Sequence, residues 1–323
     1  MRHRTLVLAA AAAGWIGAAA TPAAAANVKI TPLGSHEGEF CRNDRALLFE
    51  DPDGTRILYD AGRTVRGPED ERLGEVDAVL LSHVHGDHLG DIIASGPNAG
   101  ECARPDSSVA VTPNSNTVNV VVGKGAKLLV GGEMGSFFSQ KVAAAGGDSA
   151  QVELVRFGGV RQVGGVTVAS VPAVHSNGLD PAFLEGELAE QLAAAKLTAY
   201  LGPPGGYVLQ FTNGLVVYLS GDTGITAEQD AVVRRFFQAN LAVMNIGGIF
   251  STGSREAAWV INELVQPKAV IASHANEAAT MGGEVQPGTK TAAFMEAVDV
   301  PVHLPLSGRT MEFDGAAACV SGC

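Results

Sequence analysis

Apolar residues in this chain come mostly in short blocks separated by Gly, Pro, Asn and Asp, a pattern that favours strands over long helices. Blocks at residues 28–33, 46–50, 56–59 and 76–82 open the series, with turn residues such as Asp53-Gly54 between them. Further strands are expected at 108–112, 127–130, 152–157, 160–163 and 166–172. Residues 207–211 and 215–219 should pair as a hairpin across Thr212-Asn213-Gly214, because Asn-Gly suits a tight turn. Strands at 241–245, 268–272, 302–304 and 310–313 complete the set.

Helical spacing is rarer. It predicts helices over 135–145 and over 254–265, the latter stopped by Pro267. Between Leu179 and Gly206, the residues Phe183, Leu184, Leu188, Leu192 and Leu197 recur at near-helical spacing. Pro181 suits a helix start there, and the Gly-Pro-rich run 202–206 a stop. This insertion is a candidate lid. Strands alternating with helices, with hairpins in both halves, imply two sheets sandwiched between helices.

The first residues do not belong to that pattern. Arg2, His3 and Arg4, an apolar stretch from Leu6 to Ala20 and the small residues Ala24 to Ala26 read as a removable export leader, residues 1–26. The apolar run is short of the roughly 20 residues that a spanning helix needs, so no stable membrane anchor is expected after its removal. The mature chain, 27–323, reads as one domain. Losing Arg2 and Arg4 takes the formal charge of −12 two units lower, to −14. Such an acidic chain is poorly suited to long nucleic acid, whose binding needs clustered Lys and Arg.

Four cysteines in a chain bound for an oxidising compartment are expected as the disulfides Cys41–Cys102 and Cys319–Cys323. A zinc–thiolate site is the rival, but no Cys-x-x-Cys spacing occurs.

The chemistry gathers at strand ends. The block at 76–82 runs into His83-Val84-His85-Gly86-Asp87-His88, three imidazoles and a carboxylate within six positions. Later strands deliver His175, Asp222 in Ser-Gly-Asp-Thr-Gly, and His274, while the strand at 56–59 ends in Asp60. Five of the chain's eight histidines fall in this set. Neutral imidazoles with carboxylates are ligands that divalent metals of borderline softness favour, and the set is large enough for two ions.

The ordered markers resemble the metallo-β-lactamase superfamily, whose His-x-His-x-Asp-His motif is matched by residues 83–88. The resemblance extends from about Asn27 to Phe313 and implies an α/β fold, a four-layer αβ/βα sandwich of two mixed β-sheets flanked by helices. It implies that His83, His85 and His175 hold one metal, that Asp87, His88 and His274 hold a second, and that Asp222 bridges them beside a hydroxide nucleophile. Asp60 would orient a ligand from behind, and Asp87 could shuttle a proton to the leaving group. The metals would be zinc, with manganese or iron as alternatives.

Family members that hydrolyse β-lactams characteristically lack a bridging Asp, and many place a Cys ligand there, so Asp222 argues against that activity. Residues 244–250, Glu256-Ala257-Ala258 and 267–271 resemble instead the branch related to ascorbate-phosphate lactonase and other metal-dependent hydrolases. The first loop, Leu33-Gly34-Ser35-His36, is similar to a loop of that branch, which makes His36 a candidate substrate contact beside Asn177. The expected activity is cleavage of an ester or lactone of small-molecule size. Alternatives are a phosphodiesterase, for which Arg42, Arg63, Arg66 and Arg255 are candidate cations, and a metal-binding sensor without turnover.

Overall fold

The computed structural model describes residues 26–323; all of the expected leader except Ala26 lies outside them. Within these residues, successive side chains of a strand point to opposite faces, and here both faces are apolar. Leu47 and Phe49 enter one core while Leu48 between them enters another; Ile57 and Tyr59 split from Leu58 in the same way, and Val217 and Leu219 from Tyr218. Strands buried on two sides read as solid apolar blocks, which is why they were visible in the sequence.

An eight-stranded sheet runs, edge to edge, through Val152–Leu154, Lys127–Val130, Ala78–Leu80, Arg56–Tyr59, Leu47–Glu50, Val28–Pro32, Met311–Phe313 and Cys319–Ser321. A seven-stranded sheet follows the order Val160–Val163, Val166–Pro172, Gly205–Gln210, Val216–Leu219, Leu241–Asn245, Ala269–Ser273 and Val302–His303. Each is mixed: from Arg56–Tyr59 to Val152–Leu154, and from Val216–Leu219 to Val302–His303, neighbouring strands are parallel. The sheets pack face to face over a core that includes Phe49, Tyr59, Leu80, Tyr207, Leu219 and Val243. Helices cover both outer faces, so the layers are helix, sheet, sheet, helix. Tyr207 ties the sheets together, its hydroxyl reaching the carbonyls of Leu81 (2.8 Å) and Leu129 (3.1 Å).

The helices were less legible. Met134–Ala144 and the pair Ser254–Trp259 and Val260–Val265 fall where spacing put them. Asn116–Lys124 was not expected, because its run of valines favours strands. Its ends carry the signal: Ser115 accepts a hydrogen bond from the Val118 amide, and Gly125 takes the left-handed conformation that closes a helix. Lys290–Ala297 was missed too, although Thr289 caps it. The strand expected at 108–112 shrinks to Val109–Ala110.

In the insertion, Pro181 opens a short 3-10 helix, Pro181–Phe183, and an α-helix spans Glu187–Ala195 and buries none of its residues, whereas Leu179 and Phe183 anchor the segment in the core beneath it. Both expected disulfides are present. No described helix is long and apolar enough to cross a membrane.

Candidate metal centre

Strand direction builds the site. The parallel strands end toward one edge of the sandwich, and Asp60, His83, Asp222 and His274 each lie just past one of those C-terminal ends, where parallel sheets commonly place ligands. His175 arrives from the end of Val166–Pro172, and Gly86–Leu89 makes a single helical turn that presents Asp87 and His88. The approach is close enough to require glycine at Gly221. Its φ is +59°, and a Cβ there would lie 2.7 Å from the Gly205 carbonyl oxygen.

Two groups of donors result. His83 Nε2 lies 3.1 Å from His85 Nδ1, which lies 3.2 Å from His175 Nε2. Ligands bound at about 2.0 Å around a tetrahedral ion are roughly 3.3 Å apart, so this spacing fits one metal. The second group is Asp87, His88 and His274, with His274 Nε2 3.3 Å and His88 Nε2 3.8 Å from Asp87 Oδ2. Asp222 stands between the groups: Oδ2 is 3.8 Å from His175 Nε2 and 3.2 Å from His274 Nε2, and Oδ1 is 3.4 Å from His88 Nε2. All seven residues that sequence reasoning grouped therefore converge.

The donor set fits metal ions on a further observation. His88 Nε2, His274 Nε2 and Asp222 Oδ1 are buried without a hydrogen-bond partner. A buried polar atom left so costs roughly 1–3 kcal/mol, and coordination would satisfy all three. Burial holds the His83 imidazole well below its ordinary pKa and lowers those of His85 and His175, keeping their lone pairs available. At His88 burial again opposes charge, but Asp222, Asp87 and Asp60 outweigh it and push the imidazole well above its ordinary value. Positive charge is favoured at that point, and a metal ion would supply it in place of a proton.

Asp60 sits behind the ligands at φ +44°, outside the usual region for a residue with a side chain. Its carboxylate accepts from the Ser82 amide (2.9 Å), the Ser82 hydroxyl (2.8 Å) and His88 Nδ1 (2.8 Å). A Ser82 hydroxyl that donates to Asp60 accepts from His83 Nδ1, 2.9 Å away. Those bonds place a proton on Nδ1 of both His83 and His88 and turn each Nε2 lone pair toward the centre. Ser82, which sequence reasoning passed over as the end of an apolar block, is thus a relay between Asp60 and His83.

Two expected substrate contacts do not hold. Asn177 is buried, its Oδ1 accepting from the Val84 amide (2.9 Å) and its Nδ2 donating to the Gly202 carbonyl (2.9 Å), so both ends of the amide are engaged within the protein. It braces the loop between His83 and His85. His36 is not among the residues lining the cavity; its ring pairs with the Ser35 hydroxyl and the Gly100 carbonyl.

The metal centre opens into a cavity of about 530 Å³ lined by Asp87, His175, Asp222 and His274 at its floor. Its upper wall includes Arg42, Asn276 and Lys290, together with Ile249 and Phe250, which are 96% and 73% exposed. Of the expected cations only Arg42 lines this space. Arg63 pairs with Asp91, Arg66 pairs with Asp70, and Arg255 is exposed outside the lining. Arg45, unforeseen, is buried and donates to Asp87 Oδ2 (3.3 and 3.2 Å) and to Asn276 Oδ1. Nothing in its sequence neighbourhood marks it, since Asn276 is 231 positions away.

A two-sheet αβ/βα sandwich with clustered imidazoles and carboxylates at one strand-end edge defines a metal-dependent hydrolase of the metallo-β-lactamase fold. Residues 55–275 match the β-lactamase superfamily domain, and the chain belongs to that family. It is 30% identical over 236 residues to a UPF0173 metal-dependent hydrolase of Anaeromyxobacter sp. strain K, covering 71% of each chain. To one from Koribacter versatilis it is 28% identical over 252 residues, 77% of this chain and 87% of that one. Among solved structures, a metallo hydrolase from Ignicoccus hospitalis superposes with a TM-score of 0.57 at 20% identity, over 89% of this chain and 99% of the other.

Proposed function

We propose that the chain is an exported hydrolase that cleaves an ester or lactone at a centre holding two divalent metal ions. The observation that carries the reading is the position of Asp222 between the donor groups: its Oδ2 lies 3.8 Å from His175 Nε2 of the first and 3.2 Å from His274 Nε2 of the second, and its Oδ1 lies 3.4 Å from His88 Nε2. His83, His85 and His175 would hold one ion; Asp87, His88 and His274 the other. Bound there, divalent metals would make water nucleophilic near neutral pH and polarise a carbonyl oxygen.

The chain's own residues do the rest. Asp60, directly and through Ser82, holds two imidazoles in the tautomer that directs Nε2 inward. Asp87 lines the cavity, where it could pass a proton to a leaving alkoxide, and Arg45 fixes its orientation. Ile249 and Phe250 give the mouth an apolar rim suited to an acyl chain. Two disulfides and the expected leader support export. Arg42 and Lys290 near the metals also support a second reading, phosphodiester cleavage on the same centre.

The test is a hydrolysis screen of mature protein loaded with zinc, manganese or iron, against lactones, simple esters, phosphodiesters and β-lactams, with metal content measured per chain. Ester or lactone turnover with two metals bound is the expected result. Turnover only of β-lactams, or full activity without metal, would overturn the proposal.

A further inference from the structure

We infer that His303, Cys319 and Cys323 form a second metal site, unlike the first in ligand chemistry, which takes a thiophilic ion, Zn(II) or Cu(I), once a dithiol reductant has opened the Cys319–Cys323 bond. One ligand atom of each residue lies within 4.8 Å of the others, in a cluster that shares no residue with the strand-end centre. The inference stands apart from the hydrolase reading.

The three residues meet where outer strands of the two sheets come together. His303 ends Val302–His303, the edge strand of the seven-stranded sheet, and Cys319 opens Cys319–Ser321, the edge strand of the eight-stranded one. Phe313 lies between them: it pairs with Cys319 in the ladder, and its ring meets the His303 imidazole edge-on with centroids 5.3 Å apart. The disulfide joins Cys319 to a residue only 4 positions further on, so it links a strand to its own tail and ties no two elements of the fold. An ion held by both sulfurs and by His303 would tie one sheet to the other.

Two thiolates and an imidazole are ligands that soft and borderline ions favour. The three-residue spacer, Val320 to Gly322, is within the roughly two to four common between thiolate ligands of one zinc ion. The Cα atoms of the pair are 6.3 Å apart, which leaves room for the sulfurs to part to the ~3.8 Å that a tetrahedral ion needs. Cys323 is exposed and Cys319 half-buried, whereas Cys41 of the other bridge is fully buried, so a reductant reaches Cys319–Cys323 first. The step balances: the reductant's dithiol closes to a disulfide, its two hydrogens pass to the two Sγ atoms, and the arriving ion displaces them as protons. The tail keeps its place without the bond. Glu312 pairs with Ser321 and Phe313 with Cys319, Arg309 donates to the Cys323 carbonyl (3.2 Å), and Gly322, at φ +78°, passes so close to Thr310 that a Cβ would overlap the Thr310 carbonyl oxygen.

The test starts from the oxidised mature chain loaded with zinc, then reduced with dithiothreitol and freed of it by anaerobic gel filtration. Alkylation mapped by mass spectrometry should find Cys319 and Cys323 open and Cys41–Cys102 closed. Cobalt(II), a spectroscopic stand-in for zinc, should then give the near-ultraviolet charge-transfer band of thiolate ligation, which the first centre cannot produce because it holds no sulfur. Cys319→Ser/Cys323→Ser should abolish the band. His303→Gln should weaken cobalt binding at least about tenfold, the least that losing even a ligand's outer partner costs, and His303→Cys should restore it, which a packing role would not allow. Zinc displacing cobalt, compared with capture of Cu(I) from bathocuproine disulfonate, tells which ion the site holds more tightly. That ion should also raise the unfolding temperature of the reduced wild type and not of Cys319→Ser/Cys323→Ser. Absence of the band, a band that persists without Cys319 and Cys323, or cobalt affinity unchanged in His303→Gln would overturn the site.

Discussion

The floor and the rim of the cavity are built by opposite means. On the floor, His83, His88, Asp222 and His274 are buried, and Asp60 and Ser82 hold His83 and His88 from behind. At the rim, Arg42, Ile249 and Phe250 are exposed on loops and hold few fixed contacts. A buried imidazole with one nitrogen bonded has a single orientation to offer, so His83 and His88 are oriented before any ligand arrives. An exposed side chain on a loop can change without disturbing the core. The difference teaches that, on the proposed function, metal binding and substrate choice fall to physically separable groups.

Substitutions should expose that separation. The largest effect is expected from Asp222→Ala, which removes the carboxylate between the donor groups: metal content should fall below two ions per chain and hydrolysis should be lost, both readable from metal analysis alongside a rate assay. Retention of two metals would mean that Asp222 does not join the sites. Next, Asp60→Asn and Ser82→Ala should weaken metal affinity by about 10–100-fold, as removal of outer partners does elsewhere. Competition with a chelator measures it, and unchanged affinity in Ser82→Ala would break the proposed relay.

Asn177→Ala belongs to the floor although sequence reasoning put it with the substrate. It strands the Val84 amide and the Gly202 carbonyl, which should lower stability by about 1–3 kcal/mol with little direct effect on KM. Thermal unfolding checks the first part and steady-state kinetics the second. The smallest effect is expected at the rim: Phe250→Ala should raise KM for long acyl esters several-fold, in line with about 0.8 kcal/mol for each methylene it shelters, and leave metal content at the wild-type level. A loss of metal there would erase the distinction between floor and rim.

The same divide explains what could be read in advance. His83 to His88 lie within six positions, and the Gly-flanked Asp222 ends an apolar block, so local spacing and chemistry were enough to bring them together. The sheets were legible because two-sided burial leaves uninterrupted apolar runs. The rim was not, since Arg45 meets Asn276 and Lys290 meets Gly247 only through the completed fold. Asn177 misled for a related reason: its neighbours His175 and Ser176 do line the cavity, but its own side chain turns inward to backbone far along the chain. The Asn116–Lys124 helix was hidden by valines whose strand preference the tertiary packing overrides.

The Cys41–Cys102 bridge closes a covalent ring, its ends 61 positions apart, around Asp60, His83, His85, Asp87 and His88, and leaves His175, Asp222 and His274 outside. In the denatured chain such a ring forfeits entropy equivalent to about 4 kcal/mol at room temperature. It also keeps the enclosed imidazoles at high local concentration while the other three ligands roam. Oxidation thus favours encounters among the enclosed side chains over encounters with the three outside the ring. Refolding of the oxidised chain with metal present should therefore outpace that of Cys41→Ser/Cys102→Ser.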